Sequence, residues 1–238
     1  MASKDINIYN CKITEIKSIT HDTNEYTMAI PRDINFNFYP GDHIKIYPDP
    51  ADPVEFRPYT PTNTPDINDH FELIIKRYSM GYVSKHVHER KIGDDFAISG
   101  PHSGGHWQDG MARRVGMIAG GTGITPMISI IRSIIKRQLD VDISLAFANK
   151  SFDDIILRDE FDFMEKEYPN FRRFYVLENP PKDWDMGIGF VTEEIIKKEI
   201  FSPNAETTVF LCGPPMMQIE LRKILLSLGF TKDKIILP

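Results

Sequence analysis

Short runs in which hydrophobic and polar residues alternate fill the chain up to about residue 99. Alternation with a period of two is typical of strands that bury one face. Turn residues such as Tyr39-Pro40-Gly41-Asp42 separate the runs at short intervals, which favours an antiparallel barrel or sandwich. The pattern predicts strands over 9–16, 25–30, 43–47, 71–78 and 95–99, and one helix over 84–90 with Ser84 as its N-cap.

After residue 110 the period changes, and strand-like runs alternate with runs of helical period. Alternation of this kind implies a parallel sheet with helices on both faces. The chain is therefore predicted to have two domains, an antiparallel β-barrel over 1–110 and an α/β parallel-sheet domain over 111–238. In the second domain we predict strands over 115–119, 142–148, 171–177, 207–212 and 234–236, and helices over 127–137, 158–168, 192–198 and 216–228, with Thr192 as a cap.

A glycine-rich stretch, Gly120-Gly121-Thr122-Gly123, joins the first strand and the first helix of the second domain. Glycines let a backbone approach a phosphate closely, and the N-terminus of a helix offers free N–H donors. A tight structural turn is the alternative for glycines alone. The strand before the stretch, and the helix after it that opens with Ile124-Thr125-Pro126, favour phosphate binding.

A second turn, Cys212-Gly213-Pro214-Pro215-Met216, follows another predicted strand of the same domain. In open parallel sheets, ligands bind beyond the carboxyl ends of the strands. Both turns would therefore lie at one rim and could hold one extended ligand. A third glycine turn, over 185–190, could line the same rim.

In the barrel half, the motif Arg57-Pro58-Tyr59-Thr60-Pro61 places an arginine, a phenol and a hydroxyl along one predicted strand. If the three side chains share a face, they can hold a planar hydrogen-bonding ring and a phosphate together. An ordinary sheet surface explains the same alternation equally well.

The composition is that of a soluble globular protein, with 41% hydrophobic and 26% charged residues among 238. The net charge of −6 argues against a general nucleic-acid binder. The two cysteines, Cys11 and Cys212, make neither a disulfide framework nor a metal-binding spacing. The polar start over 1–5 lacks the apolar core of a signal peptide, and no run approaches the length of a membrane helix. We therefore expect a soluble, cytoplasmic protein without a membrane segment.

Four histidines, His86, His88, His102 and His106, raise the question of a metal site. No carboxylate or cysteine completes a ligand set with them at a known spacing. We therefore interpret them as solvated surface residues and expect no metal.

Four motifs occur in a fixed order along the two halves of the chain: Arg57-Pro58-Tyr59-Thr60-Pro61, Gly81-Tyr82-Val83-Ser84, the stretch 120–126 and the turn 212–216. In this order they resemble the ferredoxin–NADP reductase superfamily, and within it the NADH–cytochrome b5 reductase branch. The resemblance covers almost the whole chain. It implies a flavin-binding barrel and a nicotinamide-nucleotide-binding domain, which together pass a hydride from NADH to FAD and single electrons to a haem protein such as cytochrome b5.

On the flavin side, the resemblance implies that Arg57 pairs with the flavin pyrophosphate, Tyr59 lies against the isoalloxazine and Thr60 hydrogen-bonds near N5. The turn that begins at Gly81 would cap the pyrophosphate at a helix N-terminus, and this role requires the second phosphate of FAD. The implied FAD-binding residues are Arg57, Pro58, Tyr59, Thr60, Ile74, Lys76, Tyr78, Gly81, Val83 and Ser84.

On the nicotinamide side, the resemblance implies that Thr125 touches both cofactors. Asp154 would accept a hydrogen bond from the adenine ribose and repel a 2′-phosphate, which favours NADH over NADPH. A solvated acid at a helix start is the alternative for Asp154, and Lys150 and Ser151 could soften the discrimination. The implied NADH-binding residues are Gly120, Gly121, Thr122, Gly123, Thr125, Pro126, Asp154, Cys212, Gly213, Pro214 and Met216.

Three residues are implied to act at the reacting atoms. His43 resembles the histidine that forms a proton path to flavin N5 with Thr60, and its near-neutral pKa suits that role. Without the family, a half-exposed strand histidine is the better interpretation of His43. Cys212 would sit by the nicotinamide C4 and position it without acting as a nucleophile, and a buried small hydrophobe is the alternative.

Three features depart from the family pattern, and two of them concern the surface that meets the acceptor. Tyr82 stands where animal members carry a lysine that guides the acidic cytochrome, and the connector over 101–114 is short and holds His102, His106 and Trp107. The third is the C-terminus, which ends in Leu237-Pro238 where the family has a terminal aromatic residue.

Two other classes of function stay open at this point. One is a reductase that shares both domains but serves an oxygenase or a flavohaemoprotein-type system. The other is a non-catalytic flavin-binding module, against which the intact His43, Thr60 and Cys212 argue. The acceptor is expected to be cytochrome b5 or another haem protein, and the chain is expected to be a monomer.

Overall fold

Six antiparallel strands form the first domain of the structure, a computed structural model that describes residues 7–238. They lie in the order β4-β3-β6-β1-β2-β5, and a bridge between Pro61 and Leu73 joins the two ends, so the sheet closes as a barrel. One helix, α1 (Tyr82–His88), packs beside β5. The strands are β1 (Tyr9–Thr20), β2 (Thr23–Ala29), β3 (His43–Tyr47), β4 (Arg57–Tyr59), β5 (His70–Lys76) and β6 (Asp95–His102).

Six parallel strands form the second domain, in the order β10-β9-β8-β7-β11-β12. Strands and helices therefore have the arrangement that the change of period predicts, and the predicted fold class is confirmed in both domains. The strands are β7 (Arg114–Gly120), β8 (Asp142–Ser151), β9 (Phe171–Asn179), β10 (Gly187–Ile188), β11 (Thr207–Cys212) and β12 (Ile235–Ile236). The helices are α2 (Ile124–Lys136), α3 (Arg158–Glu167), α4 (Glu193–Glu199) and α5 (Pro215–Ser227).

Two hydrophobic layers cover the two faces of the parallel sheet. Neighbouring residues in β8 point to opposite sides, so Leu145 packs in the layer that contains α2 and Ala146 in the layer that contains α4 and α5. The barrel has a separate core, in which Phe71 and Phe96 are fully buried. Parallel strands covered on both faces leave only their ends accessible, so a ligand must bind at an end of the sheet.

Of the two predicted helix caps, Thr192 is confirmed and Ser84 is wrong. Thr192 caps α4 as predicted, and its hydroxyl accepts from the Ile195 N–H at 3.3 Å. Ser84 is not the N-cap of α1, because the extended Gly81 (φ −85°, ψ 109°) precedes the helix and Ser84 lies inside the first turn. The Ser84 hydroxyl accepts instead from the Tyr78 N–H at 3.2 Å and donates to the Gly81 carbonyl at 3.3 Å.

Packing joins the two domains across the predicted boundary at residue 110. Trp107 precedes that boundary, yet its side chain is 1% exposed and belongs to the hydrophobic cluster of the second domain. Ile74 of the barrel strand β5 is buried in the same cluster. Side chains from before residue 110 therefore pack into the core of the second domain, and the boundary stays a prediction.

An arginine on α2 adds polar contacts between the domains. Arg132 donates to the Thr62 carbonyl of the barrel at 2.9 Å and makes two hydrogen bonds of 2.8 Å to Glu160 on α3. Glu72 on β5 lies 3.6 Å from the same guanidinium. One turn further along, Lys136 donates to Thr64 at 3.1 Å. These contacts fix α2 against the barrel.

Within residues 7–238, no helix combines the length and hydrophobicity needed to cross a bilayer. The polar start over 1–5, which the signal-peptide prediction concerns, lies outside the described residues.

Candidate active site

A cleft of about 1410 Å³ lies between the barrel and the carboxyl ends of the parallel strands. Both domains contribute residues to its walls. The two predicted turns of the second domain both lie in these walls, at the carboxyl ends of their strands. The predicted site residues in these walls are His43, Pro58, Tyr59, Thr60, Ile74, Lys76, Tyr78, Gly120, Gly121, Thr122, Gly123, Thr125, Pro126, Asp154, Cys212, Gly213, Pro214 and Met216.

The two turns of the second domain meet because their strands are neighbours. In the register of β7 and β11, Cys212 pairs with Ala119. A Cβ on Gly123 would lie 2.2 Å from the Cys212 carbonyl oxygen, and a Cβ on Gly120 would lie 2.5 Å from Met217 Sδ. These two glycines are therefore required by the close approach of protein to protein.

Gly121 serves a different purpose from its neighbours. Its φ of +53° is in the left-handed region, and no atom lies within 4 Å of the position that a Cβ would take. Its backbone thus faces open space immediately before α2 begins. An opening at a helix N-terminus is suited to a phosphate, and phosphate binding at Gly121 stays a prediction.

Two threonines and a tyrosine join the barrel to this stretch. The Thr125 hydroxyl donates to the Thr122 carbonyl at 3.1 Å, which turns the first residues of α2 toward the cleft. The Tyr78 hydroxyl of the barrel lies 3.0 Å from Thr122 Oγ1. Side chains of the two domains therefore meet in the wall of one cleft.

At one end of the cleft, Lys76 lies between two carboxylates. Its ammonium is 2.8 Å from Asp154 Oδ1 and 3.1 Å from Asp22 Oδ2. The other oxygen of Asp154 accepts from the Ser151 hydroxyl at 2.7 Å and from the Ser151 N–H at 3.2 Å. His21 brings a ring nitrogen within 4.8 Å of both carboxylates, but the ammonium of Lys76 already provides the cation of this group.

Charges in this group stabilise one another. Lys76 lowers the pKa of Asp22 and of Asp154 despite the opposing effect of burial, and the two carboxylates raise the pKa of Lys76. All three side chains are therefore ionised near neutral pH.

At the other end of the cleft, His43 on β3 is half-buried beside Gly104. Its ring faces His102 on β6, with ring centroids 5.6 Å apart, because the two residues are paired in the strand register. Burial, together with the nearby His102 and Lys45, lowers the pKa of His43 and outweighs the opposing effect of Asp42. The imidazole is therefore neutral at neutral pH and can accept a proton.

His102 and its neighbours are less solvated than their sequence suggests. His102 Nε2 lies 2.9 Å from the hydroxyl of the buried Ser99. His106 Nδ1 lies 2.9 Å from Asp42 Oδ1. His88 packs edge-on against Tyr26 and bonds the Ile75 carbonyl at 2.9 Å. Strand pairing and helix packing therefore enclose these histidines in part, and each keeps part of its surface exposed.

Cys212 is not activated as a nucleophile. Burial raises the pKa of its thiol to about 11, and a hydrogen bond from the Gly213 backbone opposes the shift only in part. A thiol with this pKa stays protonated at neutral pH, and the thiolate is the reactive form. Gln218 holds the same turn by donating to the Gly213 carbonyl at 2.7 Å.

Tyr59 and Thr60 present an aromatic ring and a buried hydroxyl from consecutive positions at the end of β4. Burial raises the pKa of Tyr59 well above its usual value, so its phenol remains a hydrogen-bond donor. Arg57, two residues earlier, is exposed, and its guanidinium donates to the Phe56 carbonyl at 2.7 Å. Arg57 is not among the residues that line the cleft, although it lies two positions from Tyr59 on the same strand.

Three further predicted residues lie outside the cleft wall. Val83 is buried in the barrel core, Ser84 is enclosed by its own turn, and Gly81 precedes α1. Their roles toward a flavin pyrophosphate, like that of Arg57, stay predictions.

Several residues in the cleft wall were not predicted as site residues from the sequence. Asp22 belongs to the tight turn between β1 and β2, and Phe190 follows Gly189, which has a φ of +83°. Asn149, two residues before the end of β8, has a buried amide nitrogen with no hydrogen-bond partner among the described residues. The glycine turn over 185–190 was the only signal for any of these three.

Two protein-family models match the chain in this order. The model described as Oxidoreductase FAD-binding domain matches residues 10–108, and the model described as Oxidoreductase NAD-binding domain matches residues 117–223. The first covers most of the barrel, and the second covers the glycine stretch and the Cys212 turn.

Curated relatives match over most of the chain. NADH-cytochrome b5 reductase 1 of Dictyostelium discoideum is 38% identical over 219 residues, which cover 91% of this chain and 77% of the relative. NADH-cytochrome b5 reductase 1 of Aspergillus terreus is 40% identical over 238 residues, covering 94% and 79%.

Solved structures share the same arrangement of domains. The cytochrome b5 reductase domain of Ulva prolifera nitrate reductase superimposes with a TM-score of 0.89 at 26% identity, covering 98% of this chain and 97% of that one. The CS-b5R domains of human Ncb5or, in the NAD+ form, give a TM-score of 0.87 at 22% identity over 98% and 70%. At 22% identity, the match to human Ncb5or shows a shared fold only.

Proposed function

The chain belongs to the NADH–cytochrome b5 reductase family, and from this we propose that it passes electrons from NADH through a bound FAD to cytochrome b5 or a similar haem protein. The observation that carries the proposal is the shared cleft. His43, Tyr59 and Thr60 of the barrel and Cys212 of the parallel-sheet domain line one cavity. A reaction between two cofactors requires both binding walls to face one space.

The cleft wall fits both groups chemically. Tyr59, Thr60 and Ile74 provide a phenol, a hydroxyl and an apolar surface for a planar ring. The open backbone at Gly121 and the helix start at Thr125 are suited to a dinucleotide phosphate. The amide nitrogen of Asn149, which has no hydrogen-bond partner within residues 7–238, is a donor at the same rim.

When bound, FAD supplies the chemistry of accepting a hydride and releasing electrons one at a time. The residues of the chain bind, orient and exchange protons. Cys212, a protonated thiol at the end of β11, positions the nicotinamide beside the barrel wall. Thr125 contacts both cofactors from the first turn of α2.

His43 and Thr60 form the proton path in this proposal. The neutral imidazole of His43 accepts a proton that Thr60 passes on from the buried end of the cleft. A histidine that is neutral at neutral pH is ready to act as the base.

Asp154 selects NADH by accepting from the adenine ribose and repelling a 2′-phosphate. Support comes from its ionised carboxylate in the cleft wall and from its fixed orientation between Lys76 and Ser151. The Ser151 hydroxyl already donates to this carboxylate, which reduces its capacity to bind a phosphate.

We further propose that the chain acts as a monomer in the cytoplasm. Both cysteines are free, as is usual where thiols are kept reduced. Size-exclusion chromatography with light scattering tests the monomer, and a dimer mass would contradict it.

Anaerobic reduction tests the function. The purified protein should carry a flavin spectrum that NADH bleaches, and the bleached protein should then reduce cytochrome b5. A spectrum that NADH leaves unchanged would contradict the proposal. Bleaching and rapid ferricyanide reduction without reduction of cytochrome b5 would instead point to an oxygenase-type acceptor.

A further inference from the structure

Asp22 belongs to the barrel, but its carboxylate acts on the coenzyme end of the cleft through Lys76. The register of β2 and β5 pairs Thr23 with Lys76, which places the neighbouring Asp22 against the lysine ammonium. The distances are 3.1 Å from Lys76 to Asp22 and 2.8 Å from Lys76 to Asp154. The lysine thus holds carboxylates from both domains.

The charge of this three-residue group sums to minus one. Asp22 and Asp154 each carry a negative charge, and Lys76 carries the single positive charge. Two of the three ammonium N–H donors are directed to carboxylates. A phosphate near Asp154 would therefore meet a group with a net negative charge, whose partly buried cation already binds two carboxylates.

Without Asp22, the same group would be neutral, and two of the three Lys76 donors would be without a carboxylate instead of one. Lysine is a good phosphate ligand when its charge is available. Asp154 would then be the only member of this group that disfavours the 2′-phosphate of NADPH.

We propose that Asp22 is a specificity-determining residue, which keeps Lys76 unavailable to the 2′-phosphate of NADPH and thereby strengthens the preference for NADH. This inference rests on the proposed function and on the adenine ribose binding near Asp154. Asp22 is a positioning residue, since it acts through Lys76.

Other charged residues at this end are more exposed. Arg77 and Lys150 are exposed cations in the cleft wall, and Glu178 is an exposed anion there. Water screens exposed charges more strongly than partly buried ones. Lys76 has 15% of its side chain exposed, so the loss of its partner Asp22 should affect phosphate binding more than a change at the exposed cations.

The substitution Asp22→Asn removes the charge and keeps the turn. Asp22 Oδ1 accepts from Thr20 at 3.1 Å and from Thr23 at 3.0 Å, while Oδ2 faces Lys76. An asparagine side chain can still bond both hydroxyls. The matched control is Asp153→Asn, which makes the same change of charge at an exposed residue next to Asp154.

The experiment compares 5′-AMP with 2′,5′-ADP, two adenylates that differ only in the 2′-phosphate. Isothermal titration of the flavin-loaded protein gives the ratio of their dissociation constants. We expect Asp22→Asn to improve the relative affinity for 2′,5′-ADP about tenfold, because one unit charge close to a phosphate is removed. The ratio of kcat/KM for NADPH over NADH should rise in parallel. Asp153→Asn should change both ratios less than about twofold, since its charge is screened.

Two results would overturn the inference. In the first, the ratio stays unchanged in Asp22→Asn, which includes the case of a merely structural role, where both adenylates weaken equally. In the second, Asp153→Asn shifts the ratio as much as Asp22→Asn does. Normal reduction by NADH in the Asp22 variant with an unchanged ratio would reject this inference alone. Absence of NADH reduction in the unsubstituted protein would reject the proposed function itself.

Discussion

The carbonyl oxygen of Cys212 lies 2.2 Å from the position that a Cβ on Gly123 would occupy. The glycine stretch and the Cys212 turn are therefore packed too closely for a side chain at residue 123. This contact determines where the thiol of Cys212 stands in the cleft.

Substitution Gly123→Ala should destabilise the protein by about 2–3 kcal/mol, because the added methyl group must push the Cys212 turn away. Turnover with NADH should fall as Cys212 shifts. The control is Gly121→Ala, where space is open and only the left-handed φ of +53° is unfavourable. It should cost about 1–2 kcal/mol. Urea unfolding measures the two free energies, and a cost in Gly121→Ala equal to or larger than that in Gly123→Ala would contradict the prediction. Steady-state kinetics measures the fall in turnover of Gly123→Ala.

Cys212→Ala should lower turnover without abolishing it, because the thiol positions the nicotinamide and forms no covalent bond. With a pKa of about 11, the thiol should also resist alkylation at neutral pH in the native protein. Mass spectrometry after iodoacetamide treatment measures that reactivity, with the unfolded protein as the positive control. Complete loss of hydride transfer in a folded, flavin-loaded variant would show that the thiol does more than position.

The protein should lose stability as the pH falls from about 7.5 to 5.5. Burial lowers the pKa of His43, His86, His88 and His102, so the unfolded chain binds protons at a higher pH than the folded one. The stability that these neutral histidines confer is present above the unfolded pKa of about 6.5 and is lost as the pH falls through the folded pKa.

Urea unfolding at several pH values measures this loss, and His86→Gln should make it smaller by removing one of the four groups. His86 is a suitable choice because it lies on α1 outside the cleft wall. A free energy of unfolding that does not change, or that rises, between these pH values would contradict the prediction.

Arg132→Ala should cost about 2–3 kcal/mol, because it leaves Glu160 and Glu72 without their shared cation at the domain interface. Arg137→Ala is the matched control, since Arg137 also binds a carboxylate, that of Asp109, through two nitrogens, but on the surface. Its loss should cost less than about 1 kcal/mol. Thermal unfolding compares the two variants. Equal losses of stability would show that the ion pair at the interface contributes no more than a surface ion pair.

The order and type of the elements could be predicted because their causes are local. Each strand and helix buries one face or both, so the period of the hydrophobic residues shows in the sequence. The glycine stretch could be assigned for the same reason, since a strand precedes it and a helix follows it. The α1 boundary was wrong because Gly81 and Ser84 are both acceptable caps, and backbone geometry selected the glycine.

The group around Lys76 could not be predicted, because strand register and domain packing assemble it. Asp22, Lys76 and Asp154 are distant in sequence, and only the pairing of β2 with β5 and the docking of the second domain bring them together. The arginine motif is a different case. The strand β4 ends at Tyr59, one residue before Thr60, and the role of Arg57 toward a pyrophosphate stays a prediction.

Trp107 gives the junction of the two domains an optical signal. Its indole is 1% exposed, and its N–H has no hydrogen-bond partner among the described residues. An indole in apolar surroundings emits at shorter wavelength than one in water, and a nearby flavin absorbs that light. The colour of the emission should therefore report whether the junction is folded, and its brightness whether FAD is bound. Trp184, half-buried and donating to the Gly187 carbonyl, provides an internal reference in the second domain.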